Sequence, residues 1–176
     1  MQKEFVSGDL QKLYTATKER ITHLGRAVGL IEPEIERVEG TGRSHRYSFR
    51  NAMEFGVAHY LSGMGLVPAA VRAALTTLAR WEAGEDVDGL TVRGIDRGQL
   101  FDPEFKLQDG FSLIRVESRW PDKPTKPGLV KFALMTQQAF LSEEKGLAEE
   151  GKVIFGYHVL CLDTIKRAVT EYAVGA

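Results

Sequence analysis

The chain has 176 residues, 43% of them hydrophobic and 27% charged, with a formal net charge of -1. That length supports one or two small domains with real cores, and the composition is ordinary for a folded protein. No apolar run reaches the roughly 20 residues that cross a bilayer, the leading MQKEFVSGDLQK lacks the apolar core of a secretory signal, and Cys161, the single cysteine, excludes an internal disulfide; the expectation is a cytoplasmic protein.

Ser7 reads as the N-cap of a short helix over Gly8–Leu13, with Leu10 and Leu13 on one face. Tyr14-Thr15-Ala16 reads as a tight turn. Thr17 then caps a second helix, Lys18–Val28. Ile21, Leu24 and Val28 face its core side and leave Lys18, Arg20, Thr22, His23 and Arg26 on other faces. Gly29 and Pro33 stop it. Glu34–Val38 and Ser44–Phe49 suit the strands of a small hairpin around the flexible tip Glu39-Gly40-Thr41-Gly42. Ser48 caps a third helix, Phe49–Met64, ended by Gly63 and Gly65. Val67-Pro68 opens a fourth, with the stripe Val71, Leu75, Leu78 and Trp81, which closes at Ala83-Gly84-Glu85-Asp86.

A composition shift near Gly84 divides residues 1–84 from residues 85–176. Leu90–Asp96 and Phe111–Glu117 alternate as half-buried strands do, and Asp109-Gly110 suits a hairpin turn from Phe105–Gln108. Trp120–Pro127 holds three prolines and reads as a loop. Leu129–Met135 reads as a strand, Thr136–Gly146 as a helix, and Lys152–Leu162 as a buried strand. Asp163 caps a closing helix, Thr164–Val174. The fold class expected is α+β, a helical first half followed by a smaller α/β region with an antiparallel or mixed sheet.

Charge is unevenly placed. Residues 1–83 carry 11 Lys/Arg against 9 Asp/Glu, and residues 84–176 carry 12 against 15. Lys12, Lys18, Arg20 and Arg26 form one basic group, and Arg43, Arg46 and Arg50 another. Positive charge focused on one half is what phosphate binding needs, although such clusters are as often plain solvated faces.

FVSGDLQKLYTATKERITHLGRAVGLIEP, followed by GTGRSHRYSFRNAMEFGVAHYLSGMGLVPAAVRAAL, resembles the DNA-binding domain of MerR-type transcriptional regulators. The likeness covers about the first 80 residues: a helix-turn-helix, the step Gly29-Leu30-Ile31-Glu32-Pro33, a basic wing over Gly42–Tyr47, and two further helices. It implies a winged helix-turn-helix that acts as a homodimer on an inverted repeat in double-stranded DNA, with RNA polymerase among its partners. The second helix would lie in the major groove, with Thr17, Lys18, Arg20 and His23 at base edges and nearby phosphates. Arg43, Arg46 and Tyr47 of the wing would hold the flanking backbone. Each residue also has a plain structural explanation: Thr17 as a cap, Arg20 as a solvated helix residue, Tyr47 as packing beneath the third helix.

The second half is expected to dimerise or to sense a small-molecule effector. One cysteine excludes a thiolate metal cluster within the chain, and neither metal nor cofactor is implied. His158, Cys161 and Asp163 are close in sequence, but on a strand His158 and Cys161 point to opposite faces. No nucleophile–base pair, phosphate loop or metal motif suggests an enzyme. The alternative to a DNA-binding regulator is a helix-turn-helix-derived protein-interaction module with weak or no DNA binding. Gly25 and the wing glutamates Glu32, Glu34, Glu36 and Glu39 favour that alternative.

Overall fold

A computed structural model describes residues 4–28, 31–33, 45–105, 112–118, 130–149 and 157–175. Strand β1 (Phe5–Val6) runs straight into helix α1 (Ser7–Leu13). Ser7 is therefore the first helical residue and not the cap. Asp9 serves this terminus from inside, its Oδ2 accepting the Val6 N–H at 2.9 Å. Helix α2 (Lys18–Val28) starts where expected, because Thr17 Oγ1 accepts the Arg20 N–H at 3.2 Å. Strand β2 (Arg46–Tyr47) pairs antiparallel with β1, Phe5 opposite Tyr47 and Val6 opposite Arg46. The expected partner strand Glu34–Val38, the tip at 39–42 and Gly29 all lie outside the described residues.

Helix α3 (Phe49–Gly63) has a reciprocal cap. Ser48 Oγ accepts the Asn51 N–H at 3.1 Å, and the Asn51 side chain returns to the Ser48 N–H at 3.4 Å. Helix α4 (Pro68–Glu82) carries Pro68 in its first turn, where a missing N–H costs nothing. Its stripe Val71, Leu75, Leu78 and Trp81 is buried. Gly84, at φ +94°, ends it, and the next N–H, of Glu85, bonds back to the Arg80 carbonyl.

Beyond Gly84 lie strands β3 (Leu90–Arg93), β4 (Ser112–Ser118) and β5 (Val130–Thr136), helix α5 (Gln137–Glu149), strand β6 (Tyr157–Cys161) and helix α6 (Leu162–Gly175). The four strands form one mixed sheet in the order β3-β5-β4-β6. β3 is parallel to β5, and β4 is antiparallel to both β5 and β6. Phe105 lies in a turn, its N–H on the Asp102 carbonyl, and residues 106–111, with the expected Asp109-Gly110 turn, are outside the description, as is the Trp120–Pro127 loop. α6 begins at Leu162, two residues early, so Asp163 sits in its first turn and complements the helix dipole there.

Side chains alternate along β5 as a two-residue period requires. Phe132 and Leu134 join the main core, while Ala133 and Met135 pack with Ala139 and Phe140 of α5 on the opposite face. α6 covers the main-core face and also packs on α3 and α1. One apolar core thus runs from Phe5 and Leu10 through Phe55, Leu61 and Leu78 to Leu134, Leu162 and Val169. The chain is mixed α and β, and among the described residues no helix is long and apolar enough to cross a membrane.

Candidate nucleic-acid interface

α1 and α2 are joined by the four residues Tyr14–Thr17. Thr15 takes a left-handed conformation, φ +49°, and the Ala16 N–H returns to the Gln11 carbonyl at 2.9 Å. Tyr14 fixes the turn to the core. Its hydroxyl donates to the Ala52 carbonyl of α3, and burial pushes the phenol far above its ordinary value. Ile21 and Leu24, at 3% and 1% exposure, hold α2 down by one side. This orientation leaves Thr17, Lys18, Glu19, Thr22 and His23 exposed, and Arg20 half-buried. Glu19, in the first turn, has its carboxyl held below the usual range by a backbone N–H and by the Thr17 hydroxyl.

Arg20 is half-buried, and its charge is felt by His59 of α3. His59 stacks on Tyr14 at 6.0 Å and meets the edge of Tyr60 at 5.3 Å. Burial, and then the Arg20 charge, push His59 below its ordinary value. Arg46 stands exposed on β2, paired with Glu4 at 2.7 Å across the ribbon. Both partners are about half exposed, and such pairs are worth 1 kcal/mol or about that at most. Tyr47 faces inward at 6% exposure, edge-on to Phe55 at 5.3 Å, with its phenol raised by burial and hydrogen-bonded to the Ser7 side chain. Arg43 lies outside the described residues.

The structure leaves Thr17, Lys18 and His23 exposed, Thr17 at the N-terminus of α2 in line with Ile21 and Leu24 and the other two about 140° apart around the helix, sets Arg46 on a separate ribbon, and uses the Tyr47 ring as core. Arg50, grouped with Arg46 by sequence, points elsewhere: it pairs with Glu54 at 3.0 Å and lies 5.2 Å over the Phe101 ring.

The second half gathers fewer of its sequence candidates. Cys161 is half-buried and its sulfur accepts the Thr164 hydroxyl at 3.3 Å, whereas the His158 side chain is outside the description. Among the described residues no three His, Cys, Asp or Glu side chains gather as metal ligands do. A surface depression of about 520 Å3 follows α4 past Pro68, Ala69, Arg72, Ala73, Thr76 and Thr77. All six lie on one helix, so the depression lacks the convergent polar groups of a ligand site.

Two groups escape a sequence reading. Lys166, on α6, is 6% exposed and donates to the Gln99 carbonyl at 2.6 Å beside the Phe105 ring. Burial lowers its ammonium while Asp102, Asp163 and Glu82 oppose the shift. Tyr172, on the same helix, reaches Asp9. Lysine and tyrosine on an amphipathic helix carry no signal of a partner so far away in sequence. Comparison of the sequence with models of known protein families and with curated proteins finds no match.

Proposed function

We propose that this chain is a cytoplasmic, sequence-specific DNA-binding transcriptional regulator of MerR type, acting as a homodimer on an inverted-repeat operator. One observation carries the reading. A short helix, a four-residue turn and a second helix stand on a fixed core, and the second helix turns Lys18, Glu19, Thr22 and His23 outward, with Thr17 exposed at its cap. A helix held by one apolar side and polar on the other is what major-groove docking needs. Arg46, exposed on the neighbouring ribbon, supports a backbone contact beside it, because a surface carboxylate partner exchanges readily for a phosphate. In this reading the second half dimerises or takes a small-molecule effector, and RNA polymerase is a further partner.

The test is DNA selection over a whole genome with the purified protein, repeated with the Arg43→Ala/Arg46→Ala double variant. The expected result is an inverted repeat that the double variant fails to enrich, with affinity falling steeply as salt rises. Glu19, an ionised carboxylate in the first turn of the proposed reading helix, favours the alternative of a protein-interaction module. Selection of no motif at low salt would establish that alternative over the first.

A further inference from the structure

Tyr172 of α6 touches the β1–α1 junction at two points. Its hydroxyl donates to Asp9 Oδ1 at 2.8 Å, and its ring stacks on Phe5, with centroids 6.3 Å apart and planes inclined by 30°. The second oxygen of the same carboxylate accepts the Val6 N–H. One aspartate therefore joins α6 to the backbone position where β1 becomes α1. Val6 is opposite Arg46 and Phe5 is opposite Tyr47, and Glu4, one residue ahead, holds the Arg46 guanidinium. A ribbon with two residues in each strand has too little pairing to stand alone, so its place is set by what packs on it. Phe5 is fully buried, and the Tyr172 ring is part of its surroundings.

We propose that Tyr172 is a positioning residue for the β1–β2 ribbon, so that α6 sets where Arg46 stands. Since α6 also packs on β4, a ligand or partner that moves the sheet half would move the ribbon through the same contacts. The consequence for DNA affinity rests on the function proposed above, whereas the positioning does not.

The test is residue-resolved amide hydrogen exchange on the full chain, comparing wild type with Tyr172→Phe, Asp9→Ala and the double variant. Tyr172→Phe keeps the ring stack and removes one hydrogen bond to a charged acceptor. We expect the ribbon amides of Phe5, Val6, Arg46 and Tyr47 to exchange about ten-fold faster. The interior amides of α4, at Leu75 and Leu78, should be unchanged. Adding Tyr172→Phe to Asp9→Ala should change little, because Asp9→Ala already removes the acceptor of the Tyr172 hydroxyl. Unchanged ribbon exchange, or an equal acceleration throughout the chain, would overturn the proposal. A second arm measures affinity for a sequence that wild type selects. Tyr172→Phe should weaken it about three-fold or more and reduce the salt slope by about one; unchanged affinity beside a loosened ribbon would overturn the regulatory consequence. If wild type selects no DNA, the DNA-binding function falls, and the exchange data still decide the positioning.

Discussion

Gly56 stands where α3, α6 and the α1–α2 turn meet. A Cβ placed there would lie 2.5 Å from Ile165 Cγ2, 2.8 Å from the Tyr14 hydroxyl and 3.0 Å from Tyr14 Cε1. On helix propensity alone, alanine is better than glycine by about 1 kcal/mol. Here the clash outweighs that gain, since Tyr14 is pinned to Ala52 and Ile165 is buried. Gly56→Ala should destabilise the protein by about 1–3 kcal/mol in urea denaturation. Gly25 is the contrasting case. Its added Cβ would meet Phe55 at 3.6 Å, ordinary contact, so Gly25→Ala should be neutral or stabilising in the same assay. His59 supplies a pH dependence. Its folded value lies below the ordinary 6.5, chiefly through burial and then through Arg20. Between the folded value and 6.5 the unfolded chain binds a proton that folded His59 does not, so stability rises with pH across that window. Acidification from pH 7 should therefore lower the urea midpoint, and His59→Gln should flatten that part of the profile.

The helices were legible in the sequence because their signals are local. Thr17 and Ser48 accept N–H groups of the first turns, Pro68 occupies a first turn, and Gly84 supplies the left-handed stop. Ser48→Ala should cost about 1 kcal/mol, read from the thermal midpoint. Thr17 needs two variants, because it is both a cap and a proposed DNA contact. Thr17→Ser retains the cap oxygen, and Thr17→Ala does not. If the cap is its whole role, Thr17→Ser leaves both stability and DNA affinity unchanged; a base contact through the methyl group would weaken DNA binding in Thr17→Ser at constant stability. The ribbon was less legible, because two residues are too few for a two-residue period to show, and β2 finds its described partner 42 residues earlier, Tyr47 against Phe5. The sheet order was not legible. β5 lies between β3 and β4, and nothing local to Leu90–Arg93 says that its neighbour is Val130–Thr136. Of the proposed site, the outward face of α2 follows from periodicity. The inward turn of Tyr47 and the Arg46–Glu4 pair depend on the ribbon, which periodicity does not reveal.

At the scale of the whole molecule, a two-fold operator calls for a two-fold protein. The purified chain should sediment as a homodimer, and a monomer at high concentration and with its DNA present would remove the inverted-repeat reading. The composition break at Gly84 invites a cut there, yet the core crosses it: α6 packs on α1 and α3, Tyr172 bonds to Asp9, and Ile165 fits against Gly56. The first half is therefore expected to depend on α6 for its stability. Residues 1–84 expressed alone would present to water the α3 face that α6 covers, and should show a lower thermal midpoint and a stronger tendency to associate than the full chain. Adding a separate peptide of residues 157–176 should restore part of the loss. For anyone moving the proposed reading head onto another protein, the useful unit is the first half together with α6, supplied from the far end of the chain.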